Sequence, residues 1–186
     1  MEKLSTSKKQ ALKKLSSDLK RLQEELTEAK KQEGIDEYIE VKIKKDQAHF
    51  ERVKTKDGDE KAAGNFLIVV EITAEKDTVF IPISISSGIK PTGFMYQIEG
   101  TAPGAISTAS VICRGEGVTQ VTLGTLLYAK IPLGKTAIFR IQTKIKGSFG
   151  KTYKIIINRI NYKLKLPDAR YTQYRKEIIS DSVKLS

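Results

Sequence analysis

Few side chains in this sequence are of types and spacings that could do chemistry. His49 is the only histidine, flanked by Ala48 and Phe50. A single imidazole leaves Ser-His-Asp relays and His-x-x-His metal sites without support. Cys113 is the only cysteine, so an intrachain disulfide and a cysteine zinc site are both excluded. The carboxylate pairs Asp57/Asp59 and Glu75/Asp77 fall in turn sequences, where Asp is favoured for backbone reasons. Their spacing is not that of a calcium loop. Gly115-Glu116-Gly117 lies between two expected strands and not ahead of a helix, which argues against phosphate cradling. These residues predict no catalytic site, no cofactor and no metal, and therefore a non-enzymatic protein.

One constellation remains. Tyr162, Lys163, Lys165, Arg170, Tyr171, Tyr174 and Arg175 interleave aromatic rings with cations near the C-terminus. On a surface they could serve single-stranded nucleic acid or sugar. The competing reading is structural, because tyrosine is a favoured strand residue with a wet hydroxyl end. The charge balance bears on the same question: 33 basic against 22 acidic residues give a net charge of +11. That suits an anionic polymer, but no compact Lys/Arg block marks a nucleic-acid arm. Lysine scattered along amphipathic elements also serves solubility and edge protection.

Two kinds of element must hold these residues. Leu12, Leu15, Leu19, Leu22, Leu26 and Ala29 are spaced 3, 4, 3, 4 and 3. That is the a/d seam of a coiled coil, and it predicts one N-terminal helix over residues 1–34. Ser5 or Ser7 caps its start and Gly34 suits its end. The narrow stripe favours joining copies of the chain, as a dimer or trimer, over docking on a broad sheet. So short a coil is marginal alone, since five leucines contribute about 1.5–3 kcal/mol each against nucleation and association costs.

Residues 35–186 read as strands. Ile39, Val41 and Ile43 alternate with Glu40, Lys42 and Lys44, and His49–Thr55 alternates more weakly. Asp57-Gly58 marks a turn. Phe66 to Thr73 is the longest β-branched apolar run, with Phe66, Ile68, Val70 and Ile72 on one face and Leu67 and Val69 on the other. Pro82 places the next strand at an edge or bend. Phe139, Ile141, Thr143 and Ile145 form a core phase opposite Ile138 and Arg140. In the long run Tyr153 to Leu166 the expected core phase is Ile156, Ile160, Tyr162 and Leu164, with a bulge near Asn158. Residues 177–185 are expected to form a last strand. Short strands with regular turn signals predict a mainly β domain, an antiparallel immunoglobulin-like β-sandwich with a jelly roll as the alternative.

The runs Asn65 to Ala74, Asp77 to Pro82, Gly93 to Ile98, Leu133 to Ile141 and Lys151 to Tyr162 resemble β-sandwich modules of bacterial surface proteins, particularly those of candidate-phylum bacteria. The resemblance covers residues 64–166. It implies an extracellular, non-enzymatic role. A protein or polysaccharide surface partner is the separate expectation for such a head. The alternative expectation is a basic cytoplasmic nucleic-acid-binding protein. Met1 to Lys9 holds no apolar stretch of a signal peptide. The expected location is thus the cell surface if a leader has been removed, and the cytoplasm otherwise. No run approaches the length of a membrane span.

Overall fold

The computed structural model describes residues 38–54, 60–87, 92–102, 105–168 and 170–185. They belong to one compact unit, Glu37–Ser186. The predicted helix, with its seam of Leu12, Leu15, Leu19, Leu22, Leu26 and Ala29, lies outside the described residues, as does the Asp57-Gly58 turn.

The described residues are mainly β. In chain order the strands are β1 (Ile39–Lys54), β2 (Glu60–Ala74), β3 (Val79–Pro82), β4 (Ile85–Ser86), β5 (Phe94–Gly100), β6 (Ala105–Arg114) and β7 (Thr119–Leu123). There follow β8 (Leu126–Ile131), β9 (Thr136–Gly147), β10 (Thr152–Tyr162), β11 (Thr172–Tyr174), β12 (Ile178–Ile179) and β13 (Val183–Lys184). They form a four-stranded sheet β1-β2-β9-β6, a three-stranded sheet β3-β8-β7, and a sheet β11-β10-β5-β4 in which β12 and β13 also pair with β10. All pairings are antiparallel except β4 with β5. None of the sheets closes into a barrel.

Local sequence explains the long hairpin β1–β2. The two alternating patches read separately in the sequence are one strand. A register shift between Ile43 and Lys45 offsets their phases without ending the ladder. Ile39 and Val41 face the core before the shift, and the partly buried Ala48 and Phe50 do so after it. A bulge inserts one residue and so exchanges the faces of everything beyond it.

β2 supplies Phe66, Ile68, Val70 and Ile72 to the core, each at most 3% exposed. Its neighbour β9 contributes Phe139, Ile141 and Ile145 from one face while Ile138, Arg140 and Gln142 stay exposed, as period-2 alternation requires. Opposite them stand Phe94 and, from β10, Tyr153, Ile155, Ile157, Ile160 and Tyr162, all fully buried. The rings of Phe94 and Phe139 meet edge-on at 5.1 Å and 61°. Such a pair is worth about 0.5–1.5 kcal/mol beyond its buried area. Pro82 ends β3, an edge strand of its sheet, where its missing N–H leaves no gap in a ladder.

β10 departs from the expected phase in an instructive way. The register slips between Ile157 and Arg159, so the bulge sits at Asn158 as expected. The bulge changes parity, however. The core cluster takes Tyr153, Ile155 and Ile157 before it and Ile160 and Tyr162 after it. Ile156 is also buried, at 3%, but faces away from that cluster. Beyond Tyr162 the strand ends, and Leu164 is only partly buried. The strand expected over residues 177–185 is two short pieces, β12 and β13, with β11 ahead of it. β11, β12 and β13 pair in turn with one strand, β10. Between them Ser180 keeps the ladder going: its N–H donates to the Ile155 carbonyl at 2.8 Å, and its Oγ accepts from the Ile155 N–H at 2.8 Å.

Gly93 marks the tightest approach. A Cβ there would sit 1.8 Å from the Pro82 carbonyl oxygen. The Gly93 carbonyl accepts from the Asn161 N–H at 2.7 Å, and the buried Asn161 side chain donates to the Thr92 carbonyl at 2.6 Å. Only glycine lets β3, the start of β5 and the end of β10 come this close.

Candidate functional site

The aromatic-and-basic set selected in the sequence does not form one surface. Tyr162 is fully buried, Tyr174 is 5% exposed and Lys163 is 6% exposed. Lys163 is held on every side. Its backbone pairs with Phe80, with Lys163 N–H donating at 2.9 Å and Phe80 N–H returning a bond at 2.8 Å. Its ammonium donates to the Asp168 carbonyl and lies 4.5 Å from the Tyr171 ring centroid and 5.8 Å from that of Tyr128. The Tyr128 and Tyr171 hydroxyls bond each other at 2.8 Å. Burial, and then the bond to Tyr128, raises the Tyr171 hydroxyl above its ordinary pKa. This is a latch that ties the 163–171 connection to β8 and β3. Lys165, Arg170 and Arg175 are exposed, with Arg175 bonded to Gln173 Oε1 by Nε at 3.2 Å and Nη2 at 2.9 Å.

A different set is brought together by strand register. The solvent-facing side of β1-β2-β9-β6 carries four consecutive rows of cross-strand neighbours. The first is His49, Asn65, Lys144 and Thr108, and the second is Gln47, Leu67, Gln142 and Ser110. The third is Lys45, Val69, Arg140 and Ile112, and the fourth is Lys42, Glu71, Ile138 and Arg114. Neighbouring strands lie about 4.8 Å apart and successive rows about 7 Å apart. The first two rows line a depression of about 420 Å³.

The electrostatics of this face divide into paired and unpaired charges. Glu51, next to the first row, accepts from Asn65 Nδ2 at 2.6 Å and from Lys144 Nζ at 2.8 Å. Those bonds, Lys144 first, hold its carboxyl below the ordinary carboxylate range. Lys42 pairs with Glu40 at 2.8 Å, and Lys44 with Glu71 at 3.1 Å. Lys45, Arg114 and Arg140 are exposed and make no ion pair among the described residues. None of the four rows contains Phe, Tyr or Trp.

Sequence reading missed this face. Lys42 and Arg140 were legible as outward positions of their strands, but the rows mix polar with apolar residues, and the neighbours β2 and β9 are separated by some sixty residues. Cys113 is buried, and burial pushes its thiol up to about 12, so it is held protonated. No three His, Cys, Asp or Glu side chains converge among the described residues, and no helix among them is long and apolar enough to cross a membrane.

Fold and face together define a β-rich unit with an amide- and cation-bearing sheet face. The chain matches no protein-family model, no curated protein and no solved structure.

Proposed function

We propose that the chain is a non-enzymatic interaction module: an immunoglobulin-like β-sandwich head, gathered into a dimer or trimer by the N-terminal leucine seam and displayed at a cell surface or on an appendage. The observation that carries this reading is the 3.5-residue spacing of Leu12 to Ala29 directly ahead of a β unit that buries its own core. In such an arrangement several weak heads act together, and avidity exceeds the single-site affinity by about 10²–10⁴-fold. The broad sheet face, with its exposed amides and cations, is what each head would offer to a protein or polysaccharide partner.

Cysteine scanning of the seam tests the reading. Leu19→Cys lies in the seam, and Ser17→Cys lies off it. The buried native thiol of Cys113 does not compete. Under mild oxidation Leu19→Cys is expected to form covalent dimers quickly and Ser17→Cys slowly. Equal, slow cross-linking of the two would contradict it.

The exposed cations Lys165, Arg170 and Arg175 favour a second reading, a basic nucleic-acid-binding protein. It predicts binding that weakens steeply with salt and that fails when Lys165, Arg170 and Arg175 are reversed to Glu. No binding to single-stranded DNA at low salt would dispose of it.

A further inference from the structure

The outward face of β1-β2-β9-β6 combines two chemistries in adjacent rows. Gln47, Gln142 and Ser110 offer neutral donors and acceptors in one row, and Lys45 and Arg140, in no ion pair among the described residues, offer cations in the next. Arg114 extends the cationic side by one more row. We propose that this face binds an acidic polysaccharide along the β9 direction.

The ligand class follows from the residues. Primary amides both donate and accept, which matches hydroxyls arrayed on a sugar ring. Arg140 presents a planar fork that fits a carboxylate or sulfate in bidentate fashion, and it sits between Val69 and Ile112, whose apolar surface lowers the competition from water. Glu51 is paired with the Lys144 ammonium and also accepts from the Asn65 amide, so it adds little repulsion toward an anionic chain. A neutral glycan would leave Lys45, Arg114 and Arg140 without partners. A single-stranded nucleic acid would find phosphate partners but no aromatic ring on which to stack its bases, and stacking supplies much of the affinity for such strands. The depression of about 420 Å³ along the amide rows adds concavity where the neutral contacts are expected.

The inference rests on the interaction-module reading but is independent of oligomerisation. A monomeric chain that binds a short acidic oligosaccharide would defeat the seam alone. An oligomeric chain that binds none would defeat this inference alone.

The experiment is a calorimetric titration of the full chain at fixed salt with oligomers of polygalacturonate and of chondroitin sulfate, beside dextran and poly(dT). Binding to at least one acidic glycan is expected, with no binding to dextran and weaker binding to poly(dT). Arg140→Ala should weaken glycan binding about tenfold or more, as loss of a charged hydrogen bond implies. Gln142→Ala should weaken it severalfold, and Lys151→Ala, exposed in the β9–β10 turn, should leave it unchanged. The mutated side chains are exposed, so thermal melts should coincide. Failure of both acidic glycans to bind, dextran binding as tightly, or poly(dT) binding as tightly would each overturn the proposal. So would equal losses in Arg140→Ala and Lys151→Ala.

Discussion

Replacing Lys163 by methionine separates a latch from a surface. The substitution keeps the aliphatic stem and removes the ammonium. Lost with it are the bond to the Asp168 carbonyl and the contacts with the Tyr171 and Tyr128 rings at 4.5 and 5.8 Å. A hydrogen bond from a charged donor is worth about 1.5–3 kcal/mol, and a largely desolvated cation–π contact about 0.5–2 kcal/mol. Against these stands the relief of desolvating an ammonium that is only 6% exposed. The net expectation is a loss of about 1–3 kcal/mol. At about 2–4 °C per kcal/mol for a unit of this size, a loss near the middle of that range lowers Tm by about 4–8 °C. Lys165→Met, two residues on and exposed, is the internal control and should stay within about 0.5 kcal/mol of the parent. Urea melts of both variants, with Tyr171→Phe and the Lys163/Tyr171 double variant, complete a cycle whose coupling should be clearly nonzero. Equal stability of Lys163→Met and the parent, or equal losses at 163 and 165, would refute the latch.

Other outcomes follow from single sites. Thr143 is 5% exposed and its Oγ1 has no hydrogen-bond partner among the described residues, so Thr143→Val should stabilise the protein by about 1 kcal/mol in denaturant melts. Thr136→Val, which breaks the 2.9 Å bond to the Thr73 hydroxyl, should do the opposite. Gly93→Ala drives a Cβ into the Pro82 carbonyl and should cost about 3 kcal/mol or more, or abolish soluble expression. Cys113, with its thiol pushed up to about 12, should resist maleimide at pH 8 in the native protein and react on unfolding. Burial, first among the causes, raises the Asp46 carboxyl, so the folded state holds this proton more tightly than the unfolded chain. Its contribution to stability therefore grows as pH falls through the window just above the ordinary carboxylate value. Asp46→Asn should flatten that rise and increase stability slightly at pH 7, by less than about 1 kcal/mol for a group only partly buried.

Alternation within a strand was readable wherever one face is buried and the other wet. Phe139, Ile141, Thr143 and Ile145 against Ile138 and Arg140 is such a case. The bulge at Asn158 was readable too, but its consequence was not, because one inserted residue exchanges the two faces. The expected core phase fails before the bulge, where Ile155 and Ile157 stand in place of Ile156, and holds at Ile160 and Tyr162, so the set that looks like a basic aromatic surface loses Tyr162 to the core. Lys163 reads as a surface lysine in sequence. Only the distant Tyr128, the nearby Asp168 carbonyl and the pairing with Phe80 make it an interior one. The rows across β1, β2, β9 and β6 depend on long-range pairing, which no local pattern encodes. The broken last strand reflects local chemistry of another kind. Ser180 substitutes a hydroxyl for a ladder acceptor, and no periodicity announces that.

In the proposed reading the leucine seam gathers several β heads. Multi-angle light scattering of the full chain, beside a Leu15→Asp, Leu19→Asp, Leu22→Asp variant, tests it most directly. Two or three chain masses are expected for the parent and one for the variant, with the β unit's melting unchanged. A parent of one chain mass at every concentration measured would contradict it.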